Sequence, residues 1–361
     1  MPVARGKVAV MPAHFGEAAP RFVADTPSIP GFEFDTIGGV YVLLAFLPDD
    51  QEGTVQMLRA MAQHRAMFDG VKAIAFQVTR DPALAAQAKD IRGLSWFLDL
   101  DGQVSRLYGA AAEEGTAPVN WVLIDPSLRV MGTAGLAGTD NVFRTLASLP
   151  PPGQHAGTAL HAPILIVPRV FEPELCEQLV ALHAETGGTP TGVMRDLGDR
   201  TVAVMDPAKS RRDVIIEDPV LRNALKVRLE RRLFPAIEQA TAFACTHIER
   251  YLVSRYDADE GGLFRAHRDD TTMGTAHRRF ACSINLNDGF VGGDLRFPEF
   301  GPRAYRPPVG GAVIFSCNLL HEVLPLTEGR RYVFVPFLFD EAAAAIRAAY
   351  EARVGDLSPE T

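Results

Sequence analysis

The 361-residue chain holds only two tryptophans and four cysteines, and it contains no apolar run near the ~18–20 residues a bilayer crossing needs. The missing run argues against a helical membrane span. The cysteines, Cys176, Cys245, Cys282 and Cys317, stand far apart and form no C-x-x-C pair. A disulfide scaffold and a thiolate zinc site are both disfavoured, and a reducing cytoplasm is the expected compartment. Positive charge is also short: 36 Lys and Arg face 44 Asp and Glu, a net charge of −8. Such a balance has no general pull on phosphate, so neither nucleic acid nor a membrane surface is an expected partner. Met1-Pro-Val-Ala-Arg-Gly-Lys7 leads into no long apolar stretch, and no signal peptide is expected.

What remains is ordinary globular usage, 47% hydrophobic with 31 Gly and 26 Pro. The length suits two domains, each with its own core. The clearest break runs from Ser148 to Pro163, with four prolines, two glycines and no amphipathic period. It predicts an exposed linker over 150–162 between domains at 1–149 and 163–361.

The first segment alternates strand and helix signals. Val40–Leu47, Val71–Val78 and Trp121–Asp125 are apolar runs typical of strands buried on both faces. Val55–Phe68 has helical spacing, and Ala83–Lys89 is a short helix candidate. This alternation predicts an α/β domain with a largely parallel central sheet. In the second segment, helices are expected over Pro173–His183 and Val220–Thr241. Strands are expected at 247–256, 280–287, 294–297, 312–316 and 330–339, and a closing helix at Ala342–Arg353. Helices followed by many short strands predict helices packed on a β-sandwich or jelly roll.

The informative stretch is Phe264-Arg-Ala-His267-Arg-Asp269-Asp270. On a strand, positions i and i+2 share a face, so His267 and Asp269 aim at one point. His321 follows an apolar strand about fifty residues on. Two His and one carboxylate form the facial triad of non-haem Fe(II) oxygenases, which leaves coordination positions open. In the last strand Arg331, Val333, Val335 and Phe337 share a face, with Arg330 on the other. A lone Arg on an apolar face is costly to bury unless it meets an anion, and a guanidinium fork suits a carboxylate. Asp270 is expected to face away, in solvent or a turn contact. His277-Arg278-Arg279 reads as a mobile polar loop, with Arg279 a candidate pocket residue. Cys282 and Cys317 read as core thiols.

With these residues in place, 163–340 resembles an iron(II)- and 2-oxoglutarate-dependent oxygenase domain of the prolyl 4-hydroxylase type. The matching features are Phe171-Glu-Pro-Glu-Leu-Cys, Tyr256 ahead of the H-x-D, Ser283-Ile-Asn-Leu-Asn287, Gly292-Gly-Asp-Leu-Arg-Phe-Pro298, and His321-x3-Pro325-x3-Gly329-x-Arg331. The resemblance implies a double-stranded β-helix core with iron at His267, Asp269 and His321. It implies Arg331 on the distal carboxylate of 2-oxoglutarate and Tyr256 lining the co-substrate pocket. It also implies dioxygen as oxidant, ascorbate as a supporting cofactor, and succinate and CO2 as products beside a hydroxylated C–H bond. A prolyl or peptidyl substrate is the leading expectation, with a free amino acid or small metabolite as the alternative.

Residues 8–149 resemble the peroxiredoxin branch of the thioredoxin fold. The motifs are Phe15-Gly-Glu-Ala-Ala-Pro-Arg-Phe22, Val40–Leu47 ending in Pro48-Asp-Asp50, Trp96-Phe-Leu-Asp-Leu-Asp-Gly102, and Pro118-Val-Asn-Trp-Val-Leu-Ile-Asp-Pro126, with Pro118 expected cis as in that fold generally. The family's peroxidatic Cys is missing, because no cysteine precedes Cys176, and peroxide reduction needs a thiolate. Asn120 stands near the position of the activating Arg. A redox-inactive domain is expected, serving packing, homodimer or partner contact, or substrate recruitment. Two rivals stay open: a zinc hydrolase on the same three ligands, and a non-enzymatic two-domain interaction protein.

Overall fold

A computed structural model of the chain describes residues 14–111 and 118–356. The amino-terminal stretch read for a signal peptide lies outside the described residues, as does Ala117, which precedes the proline expected to be cis. The chain divides into two compact units, Met1–His161 with Pro298–Pro302, and Ala162–Phe297 with Arg303–Thr361. Within the Pro/Gly-rich stretch, Pro152–Gln154 forms one 3₁₀ turn.

The first unit is built on a five-stranded sheet in the order Leu94–Leu98, Ala73–Thr79, Tyr41–Phe46, Trp121–Ile124, Val130–Ala134. Tyr41–Phe46 is buried along its whole length. Val42, Leu44 and Phe46 enter one apolar core while Tyr41, Leu43 and Ala45 enter another on the opposite face. The expectation of a largely parallel sheet needs correction. Two pairings are parallel and two are antiparallel. For the pair Trp121–Ile124 and Val130–Ala134 the reason is the turn after Ile124, where the Asp125 carboxylate accepts from the N–H groups of Ser127 and Arg129 at 2.8 and 3.0 Å. So short a connection can only return the chain antiparallel; a parallel return needs a crossover of about a dozen residues or more.

The first long helix begins at Gln51, ahead of the expected Val55, because Asp50 caps it by accepting from Gly53 N–H at 2.7 Å. This cap lies in Pro48-Asp-Asp50, directly after the first buried strand. Asn120 is buried and donates to the Phe46 carbonyl at 3.1 Å, tying two strands together. The helix Thr139–Ser148, which buries Val142, Phe143 and Leu146, was not expected.

In the second unit every strand pairing is antiparallel. The larger sheet runs His247–Glu249, Phe337–Phe339, Phe280–Asn285, Arg330–Phe334, Leu252–Asp257, Arg212–Ile215, Thr189–Pro190, and is extended by Ala312–Ser316 and Leu165–Val167. The smaller runs Lys209–Ser210, Leu263–His267, His321–Val323, Leu295–Arg296, Ala304–Tyr305. The two-residue period sorts the larger sheet's side chains. Val253, Cys282, Ile284, Ile314, Tyr332 and Phe334 join the helical core. Their alternates Tyr256, Ser283, Phe315 and Arg331 point the other way, and Phe315 meets the His321 ring of the smaller sheet at 4.5 Å.

The helical core is covered by Pro173–Thr186, which ends on Gly187 at φ 75°, and by a second helical stretch. The latter was expected as one helix over Val220–Thr241. Instead Pro219–Arg228 passes through a π-helical turn, Leu229–Leu233, into Phe234–Thr241. Pro235 is the cause: it lacks an N–H and its ring crowds the carbonyl four residues back, and a wider turn relieves both. Leu221, Leu225, Leu229, Leu233 and Ile237 still fall on one buried stripe. The expected strands 247–256 and 330–339 are each cut in two, at Arg250 with φ 54° and at Pro336. Among the described residues, no helix is long and apolar enough to cross a membrane.

Candidate functional site

Strand Leu263–His267 pairs with His321–Val323 and sets His267 directly opposite His321. The register shifts between Phe264 and His267. In a regular strand residues three apart face opposite ways; the bulge turns both to one side, and Phe264 stacks on the His267 ring at 3.6 Å.

His267 and Asp269 do converge, though not as neighbours on one strand. The strand ends at His267 and Asp269 lies in the bend that follows. Its N–H donates to the Cys317 carbonyl at 2.9 Å, which draws the bend toward His321. Asp269 Oδ1 then sits 3.6 Å from His267 Nε2, and Oδ2 sits 3.3 Å from His321 Nε2. One donor atom from each of the three residues lies within 4.8 Å of the others.

Both imidazoles are held in one tautomer. His267 Nδ1 is 2.7 Å from the Arg265 carbonyl, and His321 Nδ1 is 2.9 Å from the Leu319 carbonyl. A carbonyl only accepts, so each Nδ1 carries the hydrogen and each Nε2 keeps its lone pair for a metal. Burial, then the facing His321, lower the His267 pKa to about 4 against the opposing pull of Asp269, which favours the neutral ring. Burial disfavours charge on Asp269. The facing His321 and His267 rings, when protonated, outweigh it and hold this carboxyl well below the ordinary range. Two neutral imidazoles and one carboxylate fit a divalent first-row metal.

Arg331 stands opposite Tyr256 across two strands of the larger sheet, and both are 2% exposed. Its Nη2 donates to Ser283 Oγ at 3.2 Å, its Nε has no partner among the described residues, and the guanidinium lies 5.7 Å from the Tyr256 ring centre. Burial pulls its pKa down to about 10. Arg330, on the other face, is exposed and pairs with Asp257 at 2.7 Å. A buried guanidinium with spare donors is a receptor for a small anion.

Other parts of the site carried no sequence signal. Arg211, 8% exposed, pairs with Asp213 at 3.0 Å and reaches Tyr256 Oη at 3.5 Å. Arg211 and Lys209 lie 5.8 and 5.3 Å from the centre of the Phe264 ring. Burial, then Arg211, lower the Lys209 pKa to about 7. His277 and Arg278 do not sit in a mobile polar loop: both are buried, in an ion network with Glu249. Arg279 turns back to the Ala276 carbonyl at 2.9 Å. Asp270 accepts from Asn318 Nδ2 at 3.1 Å. Cys282 and Cys317 are buried free thiols whose pKa burial pushes up.

The fold and site together define a β-sandwich unit with a candidate two-histidine, one-carboxylate metal centre. No family model matches the chain. It is 27% identical over 122 residues to a PKHD-type hydroxylase of Synechococcus sp. (strain JA-2-3B'a(2-13)), covering 31% of this chain and 54% of that protein. It is 33% identical over 92 residues to a PKHD-type hydroxylase of Maricaulis maris (strain MCS10), covering 24% and 41%. The chain thus spans about half the length, or less, of the curated relatives it matches. Among solved structures, a Trichoplax adhaerens prolyl hydroxylase in complex with a hypoxia inducible factor peptide fragment aligns at TM-score 0.38 and 17% identity, over 52% of this chain and 86% of that one. A likeness this low assigns neither fold nor activity.

Proposed function

We propose that the second unit is a non-haem Fe(II)- and 2-oxoglutarate-dependent dioxygenase with a double-stranded β-helix core, hydroxylating an unactivated C–H bond with release of succinate and CO2. The observation that carries this reading is the convergence of His267, Asp269 and His321 within 4.8 Å, with both Nδ1 atoms already committed to carbonyls. These three residues would hold the ion. Bound Fe(II) supplies dioxygen activation through the positions that three protein ligands leave open.

The chain's own residues do the rest. Arg331 binds and orients the distal carboxylate of the co-substrate through donors its neighbours leave unused, and Ser283 holds it in place. Tyr256 forms the floor beneath that guanidinium. Phe315 and Phe297 pack around the His321 ring and keep water from it. The triad together with Arg331, a buried guanidinium suited to a carboxylate, favours the oxygenase over a zinc hydrolase.

The substrate we take to be prolyl or peptidyl; a free amino acid or small metabolite is the alternative. The first unit we read as a thioredoxin-like domain without its nucleophile, recruiting substrate. The buried free thiols fit a reducing cytoplasm.

The test is anaerobic addition of Fe(II) and 2-oxoglutarate, which should raise a weak visible charge-transfer band, followed by succinate release in air. His267→Ala should lose both. Absence of band and succinate in the unaltered protein abandons the reading, and turnover with Zn(II) and no 2-oxoglutarate replaces it with a hydrolase. Removal of the first unit should lower turnover of a peptide substrate but not of the co-substrate alone.

A further inference from the structure

We propose that Arg278, aligned by Glu249, is a positioning residue for Asp269 and sets the affinity of the site for its metal; this rests on reading His267, Asp269 and His321 as the ligands. The two histidines lie in paired strands, whose ladder fixes their backbones. Asp269 has no such ladder. Its peptide is held instead at two points: its N–H donates to the Cys317 carbonyl at 2.9 Å, and its own carbonyl accepts from Arg278 Nη1 at 3.3 Å.

Arg278 is in turn fixed on two sides. Its Nε and Nη2 donate to the two Glu249 carboxylate oxygens at 2.9 and 2.6 Å, a planar two-point grip. Its guanidinium carbon lies 3.9 Å from the centre of the Phe337 ring. Glu249 is steadied by His277 Nε2 at 2.8 Å. Arg278 is only 8% exposed, so little water is present to replace any of these bonds. The fork therefore spends two donors on Glu249 and one on Asp269. It ties the edge strand His247–Glu249 to the bend that carries the ligand.

An ammonium cannot reproduce this plane of three bonds, and so Arg278→Lys keeps the charge while losing the grip. Glu249→Gln keeps the shape while losing the charge that orients the fork. A side chain with a purely structural role would change stability and leave the metal affinity of the folded protein alone.

The experiment titrates Co(II) into the full-length protein without oxygen, following binding by calorimetry and the d–d absorption by spectroscopy. Circular dichroism establishes that each variant is folded. Arg278→Lys and Glu249→Gln should each weaken Co(II) binding by about 10–100-fold and alter the d–d spectrum. Their combination should be no worse than Arg278→Lys alone, because Glu249 acts through Arg278. Arg279→Lys, whose side chain only turns back to nearby carbonyls, should bind as the unaltered protein does. A folded Arg278→Lys with unchanged affinity and spectrum overturns the inference. If that variant does not fold, unchanged binding in Glu249→Gln overturns it equally. An unaltered protein that takes up no Co(II) overturns the metal reading itself and the inference with it.

Discussion

His267 and His321 face each other across two antiparallel strands with ring centres 4.2 Å apart, and each gives its Nδ1 hydrogen to the carbonyl two residues before it. One strand pairing therefore delivers two candidate ligands already in the tautomer a metal would need. The bulge beside His267 adds a third element, because it lays the Phe264 ring flat against the imidazole.

Phe264→Ala should loosen His267 without touching a ligand atom. Aromatic stacking contributes about 0.5–1.5 kcal/mol beyond its buried area, so metal affinity should fall about 2- to 10-fold. A metal titration checks this, and unchanged affinity would mean that the ladder alone holds the ring.

Arg331→Met should raise the KM for 2-oxoglutarate about 10- to 100-fold, the range expected when hydrogen bonds to a charged group are lost. Metal affinity should stay the same, since Arg331 belongs to the larger sheet and contacts no ligand side chain. Succinate release against co-substrate concentration measures the first, and a metal titration the second. An unchanged KM removes Arg331 from the co-substrate site.

Glu249 predicts a pH effect on stability. Burial opposes its charge, but His277 and Arg278 outweigh burial and hold its folded pKa far below the ordinary 4.5. A carboxyl lowered on folding contributes stability that is complete above its unfolded pKa and is lost as pH falls below it. The unaltered protein should thus lose stability below about pH 4.5. Glu249→Gln should be less stable at neutral pH and show a shallower loss in acid. Denaturant midpoints from pH 3 to 7 give the comparison, and parallel curves would contradict it.

Two glycines separate backbone strain from steric collision. Gly289 has φ 77° with open space where a Cβ would stand, whereas Gly310 has φ 72° and a Cβ there would lie 2.2 Å from the Phe171 carbonyl oxygen. Gly289→Ala should cost about 1 kcal/mol, the usual penalty of a left-handed residue. Gly310→Ala should cost clearly more, because Phe171 and Val170 both donate to the Gly310 carbonyl and cannot withdraw without breaking those bonds. Urea unfolding of the two variants checks the order.

The candidate site was legible because its chemistry is written in residue type and spacing: an H-x-D, a later His closing an apolar strand, and an Arg on an apolar face. The strand argument for His267 and Asp269 reached the right convergence by the wrong route, since the strand ends before Asp269 and a Cys317 carbonyl does the bending. Arg278 was misread as part of a mobile loop. A charged triplet between strands looks solvated until its partner is known, and Glu249 lies on a strand at the far edge of the sheet. Arg211 was invisible for the same reason. The helix Val220–Thr241 was legible as a stripe of leucines, but its π turn was not, because the effect of Pro235 depends on where the flanking turns are anchored.

The sequence by itself determined the candidate triad, the buried strands, the helical stripes and the absence of cysteine from the first 175 residues. These are local properties, fixed by side-chain chemistry and by periods of two and of three to four residues. Only the tertiary structure decided which carbonyls orient the imidazoles, which cation grips the Asp269 peptide and which sheet carries Arg331. Those choices depend on strand register and on pairs of charges far apart along the chain, and a linear pattern encodes neither.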